Sequence, residues 1–216
     1  MRLFNYVKIY NSITKEKLNE LYSNNLILVN GKKEKLTYKL KDTDIVSCDG
    51  KIIEKFPFSY YLYNKPRGIL SMISDKPESY MNNIDVKTKL MVAGRLDKDS
   101  EGLLILTNDP EFLNQISGNK TIYDKEYVVK LKYEITSSFI EKMNGEFEFR
   151  NKKTKPIKFN MIDNYNFKII LNEGMYHQIR KMVIESGNRV DTLKRIRIGK
   201  YILGDLQPGE IKKIDI

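Results

Sequence analysis

Residues 94–102 place three carboxylates, Asp97, Asp99 and Glu101, and two cations, Arg95 and Lys98, in one short polar segment. An apolar approach, residues 90–93, precedes it, and a β-like run, residues 103–107, follows it. Charges held between two strands bound for the core are either paired or in use, because an unpaired buried charge is too costly to keep. A carboxylate on such a turn can attack a substrate or take a proton from it, and Asp97 with Glu101 could serve as the acid pair of an N-glycoside hydrolase. It can equally be a solvated loop acid paired locally with Arg95 or Lys98. Residue types alone leave these open.

Other chemistries are narrowed by what the chain has little of. A single cysteine, Cys48, excludes an internal disulfide, and with a single histidine, His177, the usual zinc ligand sets cannot be assembled. No metal and no other cofactor is expected. His177 titrates near neutrality and could act as a general base. No acidic orienter stands in its sequence neighbourhood, so a hydrogen-bonded or pocket-edge histidine is the expectation.

The 216 residues can bury one good core, or one core and a small satellite. A hydrophobic share of 41% without an apolar run near twenty residues points to a soluble globular protein with no membrane partner. The start, Met-Arg-Leu-Phe-Asn, lacks the apolar core of a signal peptide, and a cytoplasmic monomer is expected. The net charge of +10 and pI near 9.4 favour a polyanionic partner, and 14 tyrosines offer faces on which unpaired bases could stack. An AT-rich genome would also raise lysine over arginine, so composition does not settle the partner.

The elements that must position the polar segment follow from periodicity and turn chemistry. Residues 15–22 read as a short helix and residues 26–29 as a strand; Asn30-Gly31 and Asp49-Gly50 carry hairpin signals. Pro57 interrupts strand pairing and marks a boundary. Residues 60–63 read as a strand ending in a turn with Pro66 and Gly68. Residues 103–107, without polar alternation, read as a strand buried on both faces. Asp109 and Pro110 suit the N-cap and first position of a helix over residues 111–117. Residues 122–131 and 166–171 read as strands, residues 139–143 as a turn or two of helix, and residues 151–156 as a basic loop. In the helix over residues 176–187, Ile179, Met182 and Val183 form the buried stripe and Gly187 the left-handed cap. Residues 192–200 alternate isoleucine with basic side chains, as a strand buried on one face and cationic on the other should.

Against these elements a resemblance can be set. Gly-Arg-Leu-Asp-Lys-Asp-Ser-Glu-Gly-Leu-Leu-Ile-Leu-Thr-Asn-Asp, residues 94–109, closely resembles the catalytic segment of pseudouridine synthases of the ribosomal small-subunit synthase A type, whose invariant aspartate falls on Asp97. Lys65-Pro66-Arg67-Gly68 resembles the first motif of the same family, and Lys125-Glu126-Tyr127-Val128-Val129 its tyrosine motif. Residues 173–182, Glu-Gly-Met-Tyr-His-Gln-Ile-Arg-Lys-Met, resemble the third motif, and Arg195-Ile196-Arg197-Ile198-Gly199 the closing segment. Residues 1–55, with Val29-Asn30-Gly31 and Asp44-Ile45-Val46-Ser47-Cys48-Asp49-Gly50, resemble the RNA-binding module of small-subunit ribosomal protein four. The usual Ser-Arg near its first helix is replaced here by Ser12-Ile13-Thr14-Lys15.

The resemblance implies an α+β protein: a small RNA-binding module, residues 1–55, and a catalytic domain, residues 58–216, on a mixed, largely antiparallel sheet with flanking helices. It implies isomerisation of uridine to pseudouridine in ribosomal RNA, 16S rather than 23S, on free RNA or an assembly intermediate. Asp97, Tyr127 and Arg180 would be catalytic, with Arg180 pairing a dry, ionised Asp97 and Tyr127 packing under a flipped base. Ile179 would line the base pocket. Arg95, Leu96, Lys65, Arg67, Lys181, Arg195 and Arg197 would complete the RNA-binding surface. A non-catalytic RNA-binding or ribosome-assembly protein would share the charge and the first module but leave the Asp97, Tyr127 and Arg180 set without a use.

Overall fold

A computed structural model describes residues 1–11, 13–73, 76–86, 90–117, 123–149, 151–154 and 157–216. The chain forms two compact units, Met1–Phe58 and Ser59–Ile216.

In the first unit, α1 (Leu3–Tyr10) and α2 (Lys15–Ser23) precede β1 (Ile27–Val29), β2 (Val46–Cys48) and β3 (Lys51–Ile52). The helix α1 goes beyond the sequence expectation; Leu3, Tyr6 and Val7 at helical spacing give it a buried stripe. Thr14 caps α2 by accepting from the Lys17 amide at 3.2 Å. The turn at Asp49-Gly50, with φ of 50° and 73°, joins β2 to β3 as a hairpin. Asn30-Gly31 also turns left-handed, but it closes only the isolated bridge Val29–Lys32, and β1 pairs instead with β2, Ile27 opposite Cys48. The Asn30 side chain explains the difference: its amide donates to Asp44 and its carbonyl accepts from the Ile45 amide, both at 2.9 Å, which fastens the turn to the approach to β2.

The second unit is built on β4 (Tyr60–Lys65), β5 (Met91–Ala93), β6 (Glu101–Thr107), α3 (Pro110–Ser117), β7 (Lys125–Leu131), α4 (Ser137–Met143), β8 (Glu148–Phe149), β9 (Lys152–Lys153), β10 (Lys158–Met161), β11 (Asn166–Leu171), α5 (Gln178–Glu185), β12 (Val190–Ile198), β13 (Tyr201–Ile202) and β14 (Ile211–Ile214). The main sheet runs β10-β11-β7-β12-β6-β4-β14, with β13 beside β12 and β5 beside β6. Its pairings are antiparallel except at β12–β6, where Lys194 lies beside Glu101 and Arg195 beside Gly102. The sheet is thus mixed and largely antiparallel, and the fold class is α+β.

The apolar run on β6 has the two covered faces its sequence demands. Leu104 and Leu106 enter one core with Tyr127, Ile179, Met182 and Val183; Leu103 and Ile105 enter the other with Phe112 and Ile116. The Asp109 carboxylate accepts from the amides of Glu111 and Phe112 at 2.8 and 3.3 Å, which starts α3. Gly187, at φ 87°, ends α5: its amide donates to the Ile184 carbonyl at 2.9 Å and the Asn188 amide to Val183 at 3.0 Å.

Two expectations are corrected. Within the basic stretch 151–156, Lys152 and Lys153 form β9 paired with β8 rather than a loop, while residues 155 and 156 lie outside the described residues. On β12 the expected split into one buried and one cationic face fails because both faces are covered: Ile196 and Ile198 pack into one core, while Arg195, on the face of Leu193 and opposite Tyr127, is 1% exposed. Residue 122 of the expected strand lies outside the described residues, and β7 begins at Lys125.

Candidate active site

Asp97 sits on the turn between β5 and β6, and both sides of that turn are anchored. Gly94, at φ 84°, leaves β5, and its carbonyl accepts from Arg195 Nη2 at 2.7 Å. The Leu96 amide donates to Ser71 Oγ at 3.1 Å while the Leu96 side chain joins the core. The Ser100 amide donates to the Asp97 carbonyl at 3.1 Å, and the Lys98 carbonyl accepts from the Gly68 amide at 2.8 Å. Beneath lies Lys65, 0% exposed, whose ammonium donates to the carbonyls of Pro66 and Ile69 at 2.8 Å and Lys98 at 3.3 Å. Gly102 lets β12 pass against β6: a Cβ there would lie 2.3 Å from the Arg195 carbonyl oxygen. A turn fixed at so many backbone points holds its carboxylate without help from a substrate.

Asp97 opens onto a cleft of about 830 Å³, within the range of small-molecule sites. Arg95, Leu96, Lys98, Tyr127, His177, Ile179, Arg180 and Arg195 also line it. Tyr127 comes from β7, between Ile169 on β11 and Arg195 on β12, and is largely buried. Ile179, in the first turn of α5, presents an apolar wall.

The structure does not form the Asp97–Arg180 ion pair that the resemblance implies. Arg180 Nη2 donates instead to the Asp99 carbonyl at 3.2 Å and Ser100 Oγ at 3.3 Å, binding α5 to the far end of the same turn. The partner of Asp97 is His177, with Nε2 3.5 Å from Oδ1. Nor is Asp97 dry: its side chain is 40% exposed at the open cleft. The acidic partner of His177 therefore comes from a turn far upstream, not from its own segment, where Glu173 accepts from Gln178 instead. Ser71, which holds the Leu96 amide, was likewise absent from the sequence reading; nothing in its own surroundings marks it.

The expected RNA-binding cations divide. Lys65 and Arg195 are buried and spend their donors on backbone carbonyls, Arg195 Nε on Leu103 at 2.8 Å. These bonds brace the site. Burial lowers the Lys65 pKa to about 8, against the opposing pull of Glu101, Asp97 and Asp99. Arg197 is committed to Glu126, with Nε 2.7 Å from Oε2, and to the Gly199 carbonyl at 3.0 Å. Arg67 and Arg95 are exposed. Lys181 is half-buried, its ammonium 5.4 Å from the Tyr176 ring centroid and 5.6 Å from that of Phe149.

The Asp97 carboxylate on a braced turn, facing an open cleft with an apolar wall and a cationic rim, defines a site for chemistry on a polar, anionic substrate rather than a plain docking face. Comparison with known proteins specifies the class. The family model for RNA pseudouridylate synthase matches residues 59–185. The chain is 31% identical to ribosomal small subunit pseudouridine synthase A of Pasteurella multocida, over 99% of this chain and 96% of that one. It is 30% identical to an RNA pseudouridine synthase of Aquifex aeolicus, over 99% and 92%, and 29% identical to the dual-specificity RNA pseudouridine synthase RluF of Escherichia coli, over 97% and 74%. A crystal structure of a pseudouridylate synthase superposes with a TM-score of 0.72 at 26% identity, covering 100% of this chain and 96% of that one. The chain belongs to the RNA pseudouridylate synthase family and is an enzyme of that kind.

Proposed function

We propose that the enzyme converts a specific uridine of ribosomal RNA, in the small-subunit 16S species, to pseudouridine in the cytoplasm. The relatives named for small-subunit rRNA support the substrate, and the net charge of +10 supports a polyanion. Among the described residues no helix is long and apolar enough to cross a membrane. Residues 1–55 serve as an RNA-binding module of the ribosomal protein four type, and residues 58–216 carry the chemistry. The reaction breaks the bond from N1 of uracil to the sugar, rotates the base, joins carbon five to the same sugar carbon and releases the proton from carbon five, while the freed ring nitrogen takes one up. One proton leaves and one enters, so the step is an isomerisation and balances.

A uridine in folded RNA must first leave its stack, at a cost of about a few kcal/mol that phosphate contacts and new stacking offset. Within the cleft Tyr127 packs under the flipped base and Ile179 flanks it, while Asp97 acts on the sugar as nucleophile or base. Arg180 fixes the turn that carries Asp97 and lends it positive potential. The observation that carries this reading is the placement of Asp97 on a braced turn in the same cleft as Tyr127, Ile179 and Arg180. Asp97→Asn is expected to abolish tritium release from 16S rRNA labelled at uracil carbon five while RNA binding survives. Clear turnover by that variant removes the assignment. Mapping pseudouridine in 16S and 23S rRNA with and without the protein tests the choice of RNA.

A further inference from the structure

The turn that enters α5 carries Tyr176 and His177, whose rings lie 15° from parallel with centroids 3.9 Å apart. His177 adopts a left-handed backbone, φ 54°, a conformation that residues with a Cβ rarely take and that clusters at functional sites. On one side the imidazole meets Asp97 at 3.5 Å; on the other it supports the tyrosine ring. Lys181 stands 5.4 Å from that ring's centroid. Yet Tyr176 is 68% exposed, more than any other large hydrophobic side chain among the described residues. The fold thus fixes in place a ring it does not use for burial, beside the carboxylate at the cleft.

An exposed ring held in advance loses little freedom when something stacks on it. We propose that the exposed surface of Tyr176 is a stacking site for an RNA base next to the uridine that enters the cleft. The inference rests on the reading of RNA as substrate and adds a second base site to it. When a uridine swings out, its neighbour loses a stacking partner, and a flat aromatic surface replaces that contact whatever the base. Lys181 adds positive charge where the phosphate joining the two nucleotides must pass. His177 is a positioning residue here: it links the ring that receives the neighbouring base to the acid that meets the uridine.

The test compares Tyr176→Phe, Tyr176→Leu and Tyr176→Ala with the unaltered enzyme on 16S rRNA transcribed in vitro and labelled with tritium at uracil carbon five. Phenylalanine keeps the flat face, whereas leucine keeps apolar bulk without it. Expected is a KM within about twofold of the unaltered enzyme for Tyr176→Phe and about tenfold higher for Tyr176→Leu and Tyr176→Ala, with kcat nearly constant. Equilibrium binding of the same RNA to Asp97→Asn, with and without Tyr176→Ala, should show the same loss of about tenfold without any turnover. Unaltered KM and binding in Tyr176→Ala, or full rescue by Tyr176→Leu, overturn the stacking site. So does a fall in kcat at constant KM, which assigns the ring to holding His177 and Asp97 instead. If the unaltered enzyme releases no tritium, the proposed reaction fails separately, and the binding pair still decides the stacking site.

Discussion

The floor and the rim of the cleft are both cationic, yet their cations do different work. On the floor, Lys65 and Arg195 are buried and their donors end on the carbonyls of Pro66, Ile69, Lys98, Leu103 and Gly94. On the rim, Arg95 is exposed and takes part in none of the bonds that brace the turn, while exposed Lys98 pairs with Glu78 at 3.3 Å and half-buried Arg180 spends a nitrogen on the turn. A buried cation surrounded by backbone acceptors fixes the chain; an exposed one such as Arg95 keeps its donors for a ligand. In a basic RNA-modifying enzyme, positive charge is therefore not a count of RNA contacts. Part of it is scaffolding that holds the Asp97 carboxylate where the chemistry needs it.

The strongest way to break that division is to separate the two strands that carry the floor. Gly102 lies between Lys65 on β4 and Arg195 on β12, at φ 102°. In Gly102→Ala the new Cβ meets the Arg195 carbonyl oxygen at 2.3 Å and its amide nitrogen at 2.8 Å, backbone atoms that cannot swing aside. Overpacking together with the strained φ should cost on the order of 4 kcal/mol. Urea unfolding should show the loss, and turnover should fall with it because β6 and the Asp97 turn move together. A variant as stable as the parent would mean that β6 and β12 can part without consequence, and the floor would not be the brace described.

The same contrast explains what the sequence could and could not show. The strand β6, the cap of α3 and the stripe and cap of α5 are legible because local pattern decides them: an uninterrupted apolar run, Asp109-Pro110, and Gly187 after a helical stripe; the mixed sheet comes only from the family resemblance. Asp97 stands out because its motif is contiguous. Which side chain meets it does not, because that depends on how the turn before α5 bends; the left-handed His177 brings an imidazole where an arginine was expected. Alternation assigns Arg195 to an outer, cationic face, yet it is buried because the face it shares with Leu193 is covered by a core as well. What packs over a strand's face comes from distant segments, which one segment's periodicity cannot encode. Ser71 could not be singled out either, since its hydroxyl matters through a contact made across the chain.

A smaller effect is expected at Lys65, where the floor is perturbed without forcing strands apart. Lys65→Met keeps most of the volume but strips three carbonyls of their donor, for a net loss of about 2 kcal/mol near neutral pH, less than the broken bonds suggest because charge burial is relieved. The difference should depend on pH in a definite direction. Burial lowers the lysine from 10.5 to about 8, so between those values the unfolded chain holds a proton that the native one does not. Stability of the parent relative to Lys65→Met should rise with pH across that window, and stay flat below it, where both states are protonated. Unfolding free energies from pH 7 upward read this; a flat difference through the window would place Lys65 in solvent contact rather than in the floor.

The smallest effect on stability, and the sharpest test of the rim, is at Arg95. Its side chain is exposed and takes part in none of the hydrogen bonds that brace the turn, so Arg95→Ala should change stability by no more than about 0.5 kcal/mol. RNA affinity should fall, and the slope of log affinity against log salt should shrink by about 0.7, the release of counterions from one phosphate of a single strand. Binding titrations at several salt concentrations measure both. A loss of affinity without a change in slope would mean that Arg95 shapes the turn rather than meeting a phosphate, and would move it from the rim to the floor.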